Sequence, residues 1–323
     1  GAVGTACIIP DGSPDGVIVA DVVRFRGDKS LVDYGYLCHY LNSEIGQRAV
    51  LKLSRGTTRI RTNLTDLKKV EISLPPLEEQ KRIAAILDKA DTIRRKRQQA
   101  IKLADDFLRA VFLDMFGDPV TNPKGWEVVE VETISNVQGG LQVSSKREPN
   151  PLTVPYLRVA NVLRDRLDLS EIKEINVNDS ELNRVRLLTG DILVVEGHGN
   201  PDEIGRAAIW DRYVEDIVHQ NHLIRIRPDR SKISSIFLND FINSSGGRTQ
   251  MANASNTTSG LNTISTGIVK STKTILPPLE VQAEYEKVVS KVRKFRMDMA
   301  QLLANEMEYL FSSLSQKAFS GEL

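Results

Sequence analysis

The sequence predicts a mixed α+β (α/β) protein in which globular regions alternate with two long helices that pair as an antiparallel coiled coil. Three observations predict it. A seven-residue signature opening a long helix occurs twice, each copy leads into an uninterrupted stripe of apolar residues at three-four spacing, and a turn-rich run of short strands lies between.

The duplication constrains the architecture most. Leu74-Pro75-Pro76-Leu77-Glu78-Glu79-Gln80 recurs as Leu276-Pro277-Pro278-Leu279-Glu280-Val281-Gln282. Upstream, Thr57-Thr58 with Leu64, Leu67, Val70 and Ile72 answers to Thr257-Thr258 with Ile264, Ile268, Val269 and Ile275. Further back, Gly4-Thr5-Ala6 and an expected strand Val22-Val23-Arg24-Phe25-Arg26 resemble Gly205-Arg206-Ala207 and Leu223-Ile224-Arg225-Ile226-Arg227. Residue 1 then falls opposite about residue 202. The second unit begins near Trp126, so the first has no counterpart of roughly 126–201 and is expected to be incomplete.

From Glu78 to Phe116, Ile83, Ile86/Leu87, Ala90, Ile93, Ala100/Ile101, Ala104, Phe107/Leu108, Val111 and Met115 follow a three-four alternation, and no Gly or Pro interrupts them. Pro75-Pro76 supplies the start and Gly117-Asp118-Pro119 the stop. At 1.5 Å per residue such a helix is about 55–60 Å long. A second stripe runs from about Leu279 to Phe319 through Tyr285, Val288/Val289, Val292, Phe295, Met299, Leu302/Leu303, Met307, Leu310 and Leu314. Neither helix buries its stripe alone, so packing on each other is expected, with separate packing into each domain's own core as the alternative.

Between them, strands are expected at Val128–Val131, Tyr156–Val159, Asp191–Val195, Ala207–Trp210 and Leu223–Ile226, and a short helix at Ser235–Ser244 ahead of a polar Gly/Ser/Asn/Thr stretch.

Composition narrows the class. With 323 residues there is room for about two domains. No apolar run approaches the ~20 residues of a spanning helix, and the first residues lack the basic-then-apolar order of a secretory signal. Cys7 and Cys38 are too few for a disulfide framework or zinc site and read as small buried thiols in a reducing cytoplasm. The net charge of +1, from 43 basic and 42 acidic side chains, offers no global attraction to nucleic acid. Phosphates respond to where charge lies, so that balance excludes nothing.

A search for chemistry is negative. There is no phosphate loop, no zinc-protease helix motif, no nucleophile elbow, no Asn-Pro-Pro-Tyr tetrapeptide and no glycine-rich cofactor loop. Pro14-Asp15 and Pro201-Asp202 read as turns, without the acidic-x-Lys strand that gathers a nuclease metal. His219 and His222 lie in a run, Ile217–Ile226, that reads as strand, where they face a groove or turn and lack further ligands for a metal. No catalytic residue, metal or cofactor is expected.

Several loops instead combine small residues with amide and guanidinium donors: 138–147, with Gln142, Ser145 and Lys146; 158–161, with Arg158 and Asn161; 196–201, with His198 and Asn200; 219–222, with Gln220 and Asn221; and 253–263, with Thr257, Thr258 and Asn262. Glycine lets a backbone approach phosphate closely, arginine can fork onto guanine, and asparagine or glutamine onto adenine. Aromatic residues are only 6%, too few for the stacking platforms of single-strand binders, so the pattern suits duplex DNA. Each loop alone is also an ordinary turn. In the first repeat, 48–69 carries Arg48, Lys52, Arg55, Arg59, Arg61, Lys68 and Lys69 against Asp66. Arg55, Thr57, Thr58 and Arg59 are its candidate phosphate contacts, with a solvated face as the alternative. Arg94-Arg95-Lys96-Arg97 reads as a solvated helix face or a docking patch.

These pieces together resemble the specificity (S) subunits of type I restriction-modification enzymes. The resemblance rests on the doubled Leu-Pro-Pro-Leu-Glu-x-Gln, on Phe116-Gly117-Asp118-Pro119-Val120-Thr121-Asn122-Pro123-Lys124-Gly125-Trp126, on Pro155-Tyr156-Leu157-Arg158-Val159-Ala160-Asn161-Val162, on Gly190-Asp191-Ile192-Leu193, on Gly197-His198-Gly199-Asn200-Pro201 and on Lys317-Ala318-Phe319-Ser320-Gly321-Glu322-Leu323. It implies residues 1–77 as the C-terminal part of a first target-recognition domain, 78–117 as the first spacer helix, 118–277 as the second recognition domain and 278–323 as the second spacer helix. It further implies a non-catalytic cytoplasmic subunit whose domains each read half of a split site in double-stranded DNA. The implied partners are two methyltransferase subunits and, through the complex, a restriction/translocase subunit, with no membrane. Self-association of the shortened chain is a further expectation. The competing reading is a coiled-coil scaffold whose globular parts bind protein; an enzyme carrying its own methyltransfer is a third.

Overall fold

The structure is a computed structural model that describes residues 3–10, 12–19, 21–56, 60–200, 203–212, 214–258, 261–302 and 308–320, with the backbone alone at 256–258, 261–262, 308–312 and 320. It divides into two compact units, one of residues 1–105 with 294–323 and one of residues 106–293.

The N-terminal unit is built on helices α1 (Tyr34–Asn42), α2 (Glu44–Lys52) and α3 (Leu64–Leu67), the first part of α4 (Leu77–Phe116), the end of α10 (Leu279–Leu302) and α11 (Glu308–Ser320). Asp33 caps α1 by accepting the Tyr36 N–H, and Ser43 ends α1 while capping α2 through the Gly46 N–H. Gly46 is required there, since a Cβ would stand 2.0 Å from the Tyr40 carbonyl oxygen. Tyr36, Tyr40, Ile83, Ala84, Leu87, Ala318 and Phe319 form the core, with the Phe319 ring edge-on to both tyrosines.

The C-terminal unit holds the strands. In chain order they are β1 (Glu127–Glu130), β2 (Ser135–Gly139), β3 (Leu152–Leu157), β4 (Val162–Leu163), β5 (Arg166–Leu167), β6 (Lys173–Val177), β7 (Ile192–Val195), β8 (Gly197–His198), β9 (Ala207–Ile209), β10 (Val218–His219), β11 (Leu223–Pro228), β12 (Asn256–Thr258), β13 (Leu261–Thr263) and β14 (Lys273–Leu276). Helices α5 (Val131–Ile134), α6 (Asp179–Val185), α7 (Ser235–Asn243), α8 (Ser245–Ala254) and α9 (Thr266–Ser271) complete it. An antiparallel sheet β2-β11-β7-β9 lies at the centre, beside β10-β3-β6, β12-β13-β8 and the pairs β1-β14 and β4-β5. β7 is buried at every position and β11 at all but one, which explains their continuous apolar runs. A second cluster packs Trp210 with Leu157, Leu193, Ile217 and Leu223.

In each unit the start of one long helix meets the end of another, which is antiparallel pairing. Phe112 and Phe116 of α4 pack on Tyr285 of α10 with ring centroids 5.8 and 5.1 Å apart. In the N-terminal unit Ile83 and Leu87 share a core with Phe319, and Arg296 bonds Asp105 at 2.9 Å. The second apolar stripe is observed as α10 and α11, with 303–307 outside the described residues.

The end of α4 is sealed by the motif that follows it. Gly117 takes φ 78°, the Trp126 indole N–H donates to the Phe116 carbonyl at 2.9 Å, and Lys124 Nζ donates to that of Met115 at 3.0 Å. Orphan carbonyls of the last turn thereby find donors.

Four expectations are corrected. Residues 22–26 form no strand, and Val22, Val23 and Phe25 are exposed. Their counterpart β11 is a strand flanked by β2 and β7, and no described segment pairs with 22–26. Cys7 is exposed and Cys38 half-buried, because the described residues before Tyr34 carry no regular structure to cover them. The run 217–226 is two strands, β10 and β11, broken at 220–222. The polar stretch after Ser244 is helix α8 followed by the hairpin β12-β13. Ser244 caps α8 through the Gly247 N–H as Ser43 caps α2, a match in the repeat that polar composition disguises.

Candidate nucleic-acid interface

Main-chain bonds draw most of the proposed contacts in the C-terminal unit onto one edge. Leu141 bridges Gln220, donating to the His219 carbonyl at 2.9 Å and accepting from Asn221 N–H at 2.8 Å. Glu196 N–H donates to the His222 carbonyl at 3.0 Å, and Ile264 N–H donates to that of Glu196 at 2.8 Å. Beyond it His198 stands opposite Asn262 across β8-β13, and Asn262 opposite Thr257 across β13-β12. Gln142, Gln220, Asn221, His198, Asn262 and Thr257 therefore lie along a continuous hydrogen-bonded path, with Thr258 one rung on, opposite Leu261.

Local bonds shape this edge. Arg147 Nε donates to the Gln142 carbonyl at 2.5 Å and its Nη1 to Glu181 at 2.8 Å, closing a small loop on which Gln142, Ser145 and Lys146 are exposed. Asn200 N–H donates to His198 Nδ1 at 3.0 Å, which orients that imidazole. His222 is exposed and its Nδ1 lies 3.1 Å from Glu196 Oε2. Arg184 reaches the edge from α6, its Nη1 donating to the Gly139 carbonyl at 3.4 Å, and sequence reading had no signal for it because it falls inside a helix.

Two proposed contacts are used internally. Asn161 is 3% exposed; its Nδ2 donates to the Asp168 and Glu171 carbonyls, and its Oδ1 accepts the Arg158 N–H at 2.9 Å. It shapes a turn and has no surface to offer a base. Arg158 is turned onto Glu171, 2.5 Å away. The sequence motif around them is thus a fold signature.

Other polar groups of the sheet also point inward. Arg225 is buried, donating to the Arg184 and Arg186 carbonyls at 3.2 Å and to Asn136 Oδ1 at 2.9 Å. His219 is fully buried. Its Nδ1 bonds the Leu223 carbonyl at 3.0 Å, so that nitrogen carries the proton, and burial reinforced by nearby Arg225 lowers its pKa to about 3. It is a neutral structural imidazole.

In the N-terminal unit Arg55 and Arg61 form an antiparallel bridge, with backbone bonds of 2.8 and 2.9 Å. Thr57, Thr58 and Arg59 lie outside the described residues. Both arginines are exposed, and like charges placed directly opposite are unfavourable unless an anion lies between them. Asp66 lies 2.9 Å from Lys69 and 3.8 Å from Arg55, so two cations there share one acid. Among the described residues no cluster suited to a metal is present, and no helix is long and apolar enough to cross a membrane.

A strand-rich domain held on antiparallel helices, with a polar edge built from loops and a hairpin, defines the class. The type I restriction modification DNA specificity domain matches residues 17–103 and 123–309, and the chain belongs to that family. It is 26% identical over 314 residues to the EcoKI specificity subunit of Escherichia coli (strain K12), covering 91% of this chain and 67% of that protein. Against the StySPI specificity subunit of Salmonella potsdam it is 26% identical over 310 residues, covering 91% and 66%. The chain thus spans about two thirds of the length of both relatives. The fold is shared with a chain solved in work on the structural basis of complex assembly and conformational transition of the type I R-M system, at TM-score 0.56 and 19% identity, covering 92% of this chain and 74% of that one. It is shared too with the type I restriction-modification S subunit from M. genitalium, at TM-score 0.53 and 15% identity, covering 90% and 74%.

Proposed function

We propose that this chain reads DNA sequence for a type I restriction-modification complex and performs no catalysis itself. The C-terminal domain, proposed as 118–277, reads one half of a split site through the edge that carries Gln142, Ser145, Lys146, His198, Asn200, Gln220, Asn221, Thr257, Thr258 and Asn262. Residues 1–77 supply the corresponding part of a first domain, with Arg55, Thr57, Thr58 and Arg59 on phosphate. The helical segments 78–117 and 278–323 set the separation and dock two methyltransferase subunits, through which a restriction/translocase subunit joins.

The observation that carries the reading is the single main-chain hydrogen-bonded path along which residues with amide and imidazole side chains fall, from four separate chain segments. Such groups read base edges in the major groove, and exposed arginines hold phosphates. Binding to random duplex should weaken steeply as salt rises, because phosphate contacts release counterions. Mapping methylated bases in cells that express the chain with its methyltransferase should yield a bipartite motif. A flat salt response with no defined motif would transfer the chain to the class of protein-binding scaffolds.

A further inference from the structure

Three half-buried charges meet where the C-terminal domain rests on α10. Arg293, on that helix, places Nη2 2.5 Å from Asp165 Oδ1 and 2.6 Å from Asp240 Oδ1. Two turns earlier on α10, the Tyr285 hydroxyl donates to Asp240 Oδ2 at 2.8 Å, and Asn239 Nδ2 donates to Asp165 Oδ1 at 2.9 Å. None of the three charged side chains is more than 20% exposed. Asp165 occupies the tight turn between β4 and β5 with φ 56°, and its N–H donates to the Ala207 carbonyl at 2.9 Å. One guanidinium thus joins a hairpin tip, a domain helix and the long helix.

An apolar contact tolerates sliding, since its energy follows area. Two carboxylates on one guanidinium nitrogen do not, because the strength of each bond falls steeply with distance and angle and water cannot replace it. Burial raises the pKa of Asp240 and Arg293 pulls it back down, so the charge of the cluster depends on that arrangement. The first repeat is built otherwise. The positions matching Asp240 and Arg293 are His39 and Asp91; His39 Nε2 lies 2.8 Å from Asp88, whose side chain is 68% exposed. Water competes for that contact, so it holds geometry weakly.

We propose that Arg293 is a positioning residue: through Asp165 and Asp240 it fixes the angle at which the C-terminal domain stands on α10, and so the half-site spacing that the protein accepts. This rests on the bipartite reading given above. The test uses the full chain with its methyltransferase subunits on a plasmid library that keeps both half-sites and varies the spacer one base pair at a time. Arg293→Met and Arg293→Lys should leave the half-site bases unchanged while the preference for the native spacer falls about tenfold. Asp88→Asn should leave that preference intact. Where the Met variant does not accumulate as folded protein, Lys, which keeps the charge but ends short of the position of Nη2, decides. An unchanged spacer profile, or equal loss of methylation at every spacer, overturns the inference, because mere destabilisation has no spacer dependence. If the unaltered chain itself marks no two-part site, the bipartite reading fails and the inference falls with it.

Discussion

Gln282 accepts the backbone N–H of Ser234 at 2.7 Å and, through its Nε2, donates to the carbonyls of Lys232 at 3.3 Å and Pro277 at 2.7 Å. Gln80 repeats the pattern with the Asp33 N–H at 2.9 Å and the carbonyls of Leu31 at 2.9 Å and Pro75 at 2.8 Å. Both side chains are 1% exposed. The glutamine of the duplicated signature therefore fastens each long helix to the N-terminal cap of a domain helix, α7 in one unit and α1 in the other.

Removing it should be costly. Gln282→Leu leaves one N–H and two carbonyls without their partner, which should lower stability by about 2–4 kcal/mol. Thermal unfolding followed by circular dichroism checks this, and a loss below about 0.5 kcal/mol would contradict the arrangement. Gln80→Leu should act alike on the N-terminal unit.

The exposed edge and the internal turn should separate cleanly. Alanine at His198 or Asn200 should relax the methylated motif at one base position, at a cost of about 1–3 kcal/mol in binding to the cognate duplex. Asn161→Ala should lower the unfolding temperature and leave the motif unchanged. A shifted motif in the Asn161 variant, read by methylome mapping, would show that its burial had been misassigned to structure.

Arg55 and Arg61 should act on affinity without touching sequence preference. Each alanine variant should weaken binding evenly across duplexes and reduce the slope of log affinity against log salt by about one. Titration at several salt concentrations measures it, and a slope equal to that of the unaltered chain would remove that arginine from the phosphate contacts.

His219 makes stability depend on pH. Its folded-state pKa of about 3 lies below the ordinary value of 6.5, so the unfolded chain binds the extra proton first. The contribution is whole above pH 6.5 and is lost as pH falls toward 3, amounting to about 2 kcal/mol between pH 6.5 and 5. His219→Gln keeps a donor for the Leu223 carbonyl and does not titrate, so its stability should decline less over that interval. Denaturant unfolding at the two pH values compares them, and parallel declines would refute the assignment.

How much of this was legible in the residues varies with the physics involved. The long helices could be read because a three-four stripe without Gly or Pro has few other solutions, and β7 and β11 because buried central strands are apolar throughout. Helix α8 escaped because Ser245-Gly246-Gly247-Arg248-Thr249-Gln250 looks like a turn; its helix depends on the Ser244 cap and on Met251 docking into the core. The strand expected at Val22–Arg26 failed for the opposite reason, a suitable local pattern with no strand paired to it among the described residues. Asn161 and Asn200 carry the same amide, and only the carbonyls around Asn161 reveal that one is internal and the other exposed. The Arg293 cluster joins residues up to 128 positions apart and has no local pattern at all.

The chain contains two tryptophans, Trp126 beside the sealed end of α4 and Trp210 inside the second cluster, and both belong to the C-terminal unit. Intrinsic indole fluorescence is therefore a local thermometer. It registers melting of one unit and is silent about the other, whose aromatic reporters are tyrosines and phenylalanines such as Tyr36, Tyr40 and Phe319. An indole-monitored transition that lags behind one followed by far-ultraviolet circular dichroism would be the optical signature of two units melting separately.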